Sequence, residues 1–519
     1  MAQMPSSSRK RKRNNVVFIH PDLGIGGAER LILDAALALQ SHGHQVTIYT
    51  SHRDKNHCFE EARDGTLDVR VHSGMIPAHV CGRFYVAMAV LRQLYLVGWV
   101  VKDITGNTQP ATPSNKKQDR GNTNVVEQLE ADDVFIVDQV PACIPLLRWL
   151  RATMISHTSK RKVTRRKGNR RRRQRVLFYC HFPDQLLSRR DEGGALIRLL
   201  KGLYRYPFDW FEGWAMSAAD KIVVNSKFTK GVVGDVFGNI SSGLDVSVVY
   251  PCVDTAKTNS NLSDAAEDAE DEKPVLWGGR KILLSINRFE RKKNIDLAIR
   301  AYHGLSEKER KGTRLVIAGG YDNRVAENFQ YHKYLEELAA SLGFTTATSK
   351  TVMSALSIPD SIDILFLLSV PSAFKQTLLL SASLLLYTPS HEHFGIVPVE
   401  AMHAGLPVLA VNTGGPLETI VEGNTGWLRD SNNVNEWTAV IRKVLTDMTP
   451  AQLNAMGKCG KERVEKKFSL SAMGDRLEHE IEEMIETDDE EYMNSRNVFL
   501  IGFGLIVGLL LALGLRIIS

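Results

Sequence analysis

Residues 15–50 run strand, glycine-bearing loop, helix, strand, and the same order returns from Lys281 onwards. Asn15 to His20 is a strand candidate and Pro21 to Gly27 a loop. Ala28 to Ser41 has helical periodicity, and Gln45 to Thr50 is a second strand candidate. This alternation builds a doubly wound parallel sheet, because a parallel neighbour is reached only through a crossover, usually a helix. Val134 to Val137, Val176 to Cys180, Lys221 to Asn225 and Val246 to Tyr250 continue the first series. The second series has strands at Lys281 to Ile286, Arg314 to Ala318, Leu384 to Tyr387 and Val408 to Val411, with a helix from Asn294 to Tyr302. The fold class expected is therefore α/β: two Rossmann-like doubly wound domains, 14–255 and 276–490, with an acidic linker at 256–275 and a cleft between the domains. Ligands of such sheets sit beyond the carboxyl ends of the strands.

At 519 residues, 43% hydrophobic and 24% charged, the chain has enough apolar material for two cores. Its net charge of +6 is local in origin. Arg9 to Arg13 holds five cations and Lys160 to Arg175 eleven, so the remainder carries −10. The second block reads as a solvated insertion, with attraction to an anionic membrane as the functional alternative. Nucleic-acid partners are not expected, since no zinc knuckle, basic zipper or RNP-like motif accompanies the charge. The six cysteines are scattered without a CxxC, which argues against a zinc cluster or disulfide framework.

The N-terminus is polar and basic and does not read as a secretory signal. Val498 to Leu515, by contrast, is eighteen residues without a charge. At about 1.5 Å per residue, a helix of that length nearly crosses a hydrocarbon core of about 30 Å. A transmembrane helix is expected over 498–518, with the bulk of the chain cytosolic and the sequons at Asn239 and Asn261 unused. Two other apolar stretches, Phe84 to Val101 and Ile362 to Leu386, contain Arg92 and Lys375 respectively. They read as buried or interfacial helices, because charge makes a spanning helix costly.

Four places at strand ends can carry chemistry. Asp22-Leu-Gly-Ile-Gly-Gly-Ala-Glu29 begins like a dinucleotide fingerprint, but Glu29 stands where the third glycine belongs. Gly26 and Gly27 there either make a tight turn or bring phosphate oxygens to a helix N-terminus. Ser390-His-Glu-His-Phe-Gly-Ile-Val-Pro-Val-Glu400 follows a strand, and Pro398 suits the first turn of a helix. Glu400 is then expected in that first turn, accepting from ribose hydroxyls, with Glu392 near the transferred sugar and Phe394 and Gly395 offering backbone N–H groups. A capping carboxylate is the structural alternative for either glutamate. Arg288 and Lys293 follow the first strand of the second series, where positive charge would stabilise a leaving diphosphate. His181, in Tyr179-Cys-His-Phe-Pro-Asp184, is a candidate sugar contact, with Asp184 close in sequence.

These residues resemble family 4 of the retaining glycosyltransferases, whose fold is GT-B. The resemblance runs from about Val16 to Leu477. It rests on Gly26-Gly27-Ala-Glu, Val224-Asn-Ser226, Arg288 with Lys293-Asn294, Gly414-Gly415 with Glu418, and the Glu392-x7-Glu400 pair. Within that family, four stretches are similar to the bifunctional α-1,3/α-1,6-mannosyltransferases of dolichol-linked oligosaccharide assembly. They are His20 to Arg30, Val137 to Gln139, Ser285 to Asn294 and Ala318 to Asp322. The resemblance implies GDP-mannose as donor, a Man-GlcNAc2-diphosphodolichol acceptor, the endoplasmic reticulum membrane, and other mannosyltransferases of the pathway as partners. The first domain would face the acceptor and the second would bind the nucleotide sugar. It also implies catalytic roles for Glu392, His181, Lys293 and Arg288. Donor contacts would come from Gly26, Gly27, Arg288, Lys293, Glu392, Phe394, Gly395, Ile396 and Glu400.

The expected chemistry is transfer with retained anomeric configuration, on the leaving-group face of the sugar. No cofactor and no metal are expected, since no DxD motif sits at a strand end. Another membrane-bound family 4 enzyme with a different donor or acceptor is the nearest alternative. A nicotinamide dehydrogenase would explain the first βαβ unit but not Glu392, Glu400, Arg288 or Lys293. A non-catalytic membrane scaffold would leave all of them without a task.

Overall fold

The structure is a computed structural model that describes residues 13–72, 85–105, 133–150, 174–183, 195–238, 245–255 and 274–486, with residues 74, 76–79 and 186. The expected C-terminal span, nearly all of the acidic linker, most of the basic insertion, Asp184, Asn239 and Asn261 lie outside the described residues.

The chain divides into two compact units. The first comprises Met1–Asn225, Thr229–Val249 and Gly474–Ser519, the second Ser226–Phe228 and Tyr250–Met473. Residues from Gly474 thus group with the first unit, whereas the sequence reading carries the second domain to 490.

The first unit holds seven strands: β1 (Asn15–Leu23), β2 (Gln45–Arg53), β3 (Asp68–Val71), β4 (Asp133–Asp138), β5 (Gln174–Cys180), β6 (Lys221–Val224) and β7 (Val246–Val248). They pair in the order β3-β2-β1-β4-β5-β6-β7, all parallel. The order reverses between β1 and β4, and that switch point opens a crevice at the strands' carboxyl ends. Helix α1 (Gly27–Ser41) crosses from β1 to β2 and buries Leu31, Ile32, Ala35, Ala36 and Leu39. Val17, Ile19, Phe135, Val137, Val176 and Phe178 share one core on alternate positions of their strands. The last cation of the basic block is not solvated: Arg175 is 1% exposed in β5 and pairs with Asp220 at 3.7 Å.

The apolar stretch Phe84 to Val101, expected as a buried or interfacial helix, is covered by helix α2 (Tyr85–Thr105). Among the described residues it is long and apolar enough to cross a membrane. Two polar side chains in its middle nevertheless face protein. Arg92 Nη1 donates to Asp22 Oδ2 at 3.0 Å, and buried Gln93 accepts from Cys143 N at 3.0 Å. Tyr85, Leu91 and Tyr95 on the same helix are exposed. Helix α3 (Ala195–Met216) sends Phe211 and Ala215 into a small cluster with Val90 of α2.

The second unit holds β8 (Lys281–Ile286), β9 (Thr313–Gly319), β10 (Thr346–Ser349), β11 (Ile364–Leu368), β12 (Leu384–Tyr387), β13 (Val408–Val411) and β14 (Gly426–Arg429). Their order is β10-β11-β9-β8-β12-β13-β14, again parallel, with the reversal between β8 and β12. Successive residues of a strand enter opposite cores. Leu283, Leu315 and Leu384 lie in one, and Leu284, Val316 and Leu385 in the other. A sheet buried on both faces needs such near-continuous apolar strands.

Ile362 to Leu386 is not one helix. It is β11, a turn through Pro371, helix α4 (Ser372–Ser381) and most of β12. Pro371 stands at the N-cap of α4, where the helix does not need its missing N–H. Continuous apolar content hides this break, since a buried strand and a buried helix look alike by periodicity.

Candidate active site

At the switch point of the second sheet, β8 and β12 pair directly, Leu283 with Leu384 and Leu284 with Leu385. The loops leaving their carboxyl ends therefore meet. After β8 the chain makes a short 3-10 turn, Arg291–Lys293, closed by Asn294 at φ +50. Asparagine tolerates that left-handed region better than most residues. The turn aims Lys293 at the loop after β12, where its Nζ donates to Glu392 Oε2 at 2.6 Å. Thr388 Oγ1 donates to the Lys293 carbonyl at 2.8 Å and ties the two loops again.

Glu392 is the more constrained partner. His391 before it sits at φ +56, a strained position of the kind found where function fixes the backbone. The Glu392 carbonyl accepts from Gly415 N at 2.8 Å. A Cβ on Gly414 would lie 2.6 Å from that carbonyl oxygen, and one on Gly415 would lie 2.1 Å from the Phe394 carbonyl oxygen. Both glycines are thus there for close approach of the loop. Tyr387 Oη donates to Glu392 Oε2 at 3.2 Å. Burial pushes the Glu392 carboxyl up, but the Lys293 ammonium and the Tyr387 hydroxyl outweigh it and hold it below the ordinary range. Burial, then the nearby Glu392 charge, push the Tyr387 hydroxyl well above its ordinary value, so it serves as a donor.

Helix α5 (Ile396–His403) begins after Gly395, whose φ of +82 is left-handed. Glu400 is its fifth residue and lies in the second turn, not the first: the helix starts two residues before Pro398. Glu400 meets Lys375 of α4, whose Nζ lies 2.7 Å from Oε1 and 2.6 Å from Oε2. Phe394 is a core residue, its ring stacked on Tyr250 at 5.8 Å, so only its backbone can serve a ligand. Arg288 is 65% exposed and pairs with Glu290 at 3.2 Å. The structure brings Lys293 to Glu392 and Lys375 to Glu400, while Arg288 turns to Glu290. The sequence reading notes Lys375 only as a charge interrupting an apolar run and gives it no role at the site.

In the first unit Gly26 caps α1 with extended backbone and no side-chain bond, and Gly27 opens the helix. A Cβ on Gly27 would meet nothing within 4 Å. His181 follows β5. Its carbonyl accepts from Asn225 Nδ2 at 3.0 Å, and Thr229 Oγ1 donates to Asn225 Oδ1 at 2.6 Å, which gives the Val224-Asn-Ser226 stretch a task. Beside it lie two groups that sequence reasoning passed over. Asp138 ends β4, and His20 lies within β1. His20 Nδ1 is 2.8 Å from Asp138 Oδ2, and His181 Nε2 is 3.2 Å from the same oxygen. The signal available in the sequence was a polar residue in the carboxyl-terminal half of each strand flanking the switch point.

Among the described residues, His42, Asp475 and Glu478 gather possible metal-ligand atoms within 4.8 Å of one another. His42 Nδ1 already bonds Glu478 Oε2 at 2.7 Å. The group contains none of the residues above.

Comparison with known proteins follows the same division. The profile described as Glycosyl transferases group 1 matches residues 267–463, and that described as Glycosyltransferase Family 4 matches 123–257. An alpha-1,3/1,6-mannosyltransferase from Neurospora crassa is 46% identical over 488 residues, covering 93% of this chain and 94% of the relative. The enzyme of that name from Saccharomyces cerevisiae is 39% identical over 93% of this chain and 87% of its own length. Among solved structures, sucrose-phosphate synthase from Thermosynechococcus elongatus superposes with a TM-score of 0.57 at 16% identity, covering 91% of this chain and 99% of that one. Anabaena HepE in complex with UDP gives 0.54 at 15% identity, over 90% and 100%. At such identities the likeness shows the fold, which is GT-B.

Proposed function

The chain belongs to the family of α-1,3/1,6-mannosyltransferases, glycosyltransferases of N-glycan precursor assembly, and we propose that it carries mannose from GDP-mannose to Man-GlcNAc2-diphosphodolichol. An α-1,3 addition comes first and an α-1,6 addition second, at the cytosolic face of the endoplasmic reticulum. The observation that carries this reading is the meeting of Lys293 with Glu392 at the β8/β12 switch point, with Lys375 and Glu400 following on the next elements.

In this reading the second unit binds the donor. Lys293 and Arg288 hold the diphosphate, and the negative charge that grows on it as the glycosidic bond breaks is stabilised by their fixed cations. Backbone N–H groups of Phe394, Gly395 and Ile396 add to that field at the start of α5. Glu400, oriented by Lys375, accepts from the ribose hydroxyls. Glu392 accepts from hydroxyls of the mannose. Paired with Lys293 and donated to by Tyr387, it is a poor nucleophile, which favours transfer on the leaving-group face with retained configuration. Gly27 leaves room for a ligand to approach the α1 N-terminus, with Gly26 beside it under the Glu29 carboxylate, and His181 contacts the sugar. With cations already on the diphosphate, no divalent ion is needed.

The test uses detergent-purified protein, GDP-mannose and a short-lipid acceptor, with linkage analysis of the product. Two successive mannoses in α-1,3 and α-1,6 linkage are expected, unaffected by chelator, and Glu400→Ala should lower kcat/KM on the order of 100-fold. Product from another nucleotide sugar but none from GDP-mannose would sink the donor assignment.

A further inference from the structure

The carboxyl ends of β1, β4 and β5 bring His20, Asp138 and His181 into one line in the first unit. Asp138 is 1% exposed and His20 is fully buried. His20 Nδ1 lies 3.0 and 2.8 Å from the two Asp138 oxygens, and its Nε2 lies 3.0 Å from the Asp22 carbonyl oxygen. Both ring nitrogens thus face acceptors, an arrangement that two N–H donors satisfy. An isolated buried carboxylate is costly, and an imidazolium against it removes most of that cost. Burial pulls the His20 imidazole down, but the Asp138 charge and hydrogen bond, helped by Glu29 in the first turn of α1, leave it raised. Burial pushes Asp138 up, and His20 and His181 together bring it below its ordinary value.

Asp138 is also held from behind. Gln139 after it sits at φ +59, and Val140 N donates back to the Asp138 carbonyl at 2.7 Å. The carboxylate therefore has little freedom to turn away. Its Oδ2 accepts from His181 Nε2 at 3.2 Å. A carboxylate only accepts, so the His181 nitrogen that faces it, Nε2, is the donor, and Nδ1 is the ring nitrogen left to meet a ligand. His181 has a 17% exposed side chain, the only member of the three that reaches solvent.

We propose that Asp138 and His20 are positioning residues for mannosyl transfer: Asp138 locks His181 in the Nε2–H tautomer, so that Nδ1 accepts a hydrogen bond from a substrate hydroxyl, and His20 holds the Asp138 carboxylate in place. This rests on the reading of His181 as a sugar contact given above. The arrangement resembles the support that a carboxylate gives a functional histidine elsewhere, by fixing tautomer and ring orientation rather than by reacting.

The experiment takes full-length protein in detergent with GDP-mannose and the short-lipid acceptor, and compares Asp138→Asn, His181→Ala and the double variant. Asp138→Asn is expected to lower kcat by about 100-fold, the scale of a misplaced functional group, with a smaller change in KM. The double variant should fall no further than His181→Ala alone. Losses that multiply would overturn the proposal, since Asp138 would then act without His181. A His181→Ala variant with wild-type kcat would sink the sugar-contact reading itself. Nitrogen-15 NMR of the histidine-labelled wild type, with His181 assigned by its absence from the His181→Ala spectrum, needs no altered Asp138. It should show a protonated Nε2 and bare Nδ1 on His181, and protons on both nitrogens of His20. The opposite tautomer at His181 would overturn the proposal whatever the variants do.

Discussion

Glu392 is the residue on which the second unit's chemistry turns, and its charge has a signature in stability. Its folded pKa lies below the ordinary 4.5. The ionised carboxylate therefore contributes stability that is fully present above the unfolded value and is lost as pH falls through the folded one. The expected result is a melting-temperature gap between wild type and Glu392→Gln that is constant from pH 7 to about 5.5 and narrows below about 4.5. Differential scanning fluorimetry at fixed ionic strength measures it, and a gap that widens on acidification would contradict the Lys293–Glu392 pairing. Lys293 and Glu392 are legible in the sequence because each follows a strand and carries a charge with no apolar period to explain it. His20, Asp138 and Lys375 are not. A histidine or aspartate within a β run reads as an ordinary polar position, and only the β1–β4–β5 adjacency turns three such residues into a cluster.

The loop from β12 into α5 depends on glycines in different ways. Gly415→Ala would press a methyl into the Phe394 carbonyl oxygen at 2.1 Å, whereas Gly27→Ala would meet open space. Overpacking against backbone costs about 1–3 kcal/mol. Gly415→Ala should thus lower the thermal midpoint clearly while Gly27→Ala leaves it within error, as read by circular dichroism. A comparable drop in both would mean that Gly27 serves packing instead of ligand approach. Most strands could be read from β-rich runs between turn signals, but four could not. Thr346–Ser349 is polar and lies at a sheet edge, Asp68–Val71 is a short edge strand, Gly426–Arg429 begins on glycine, and Ile364–Leu368 is buried in an apolar run without alternation. The expected first-turn position of Glu400 failed for a related reason. Proline at the third helical position is as free of a missing bond as at the first, so Pro398 marks a helix start only to within a turn.

For the chain as a whole, the family resemblance and the two sheets agree, and deletion tests the membrane reading directly. Removing residues 498–518 should move the protein from the carbonate-resistant membrane pellet to the supernatant, while α2, whose Arg92 and Gln93 are engaged by protein, should not retain it there. Continued resistance to carbonate would assign α2 a spanning role. The chain's basicity does not predict this result, because a polybasic segment is released by salt and an apolar span is not.

Because β12 threads in beside β8, Lys293 and Glu392 are neighbours in space but 99 positions apart in the chain. At about 5–20 residues per second of synthesis, the lysine leaves the ribosome some 5–20 s before its carboxylate is made. During that interval a nascent polypeptide displays the cationic half of a donor site without the acidic half. Premature termination anywhere between the two codons would yield a fragment that can attract anions but lacks the carboxylates of Glu392 and Glu400.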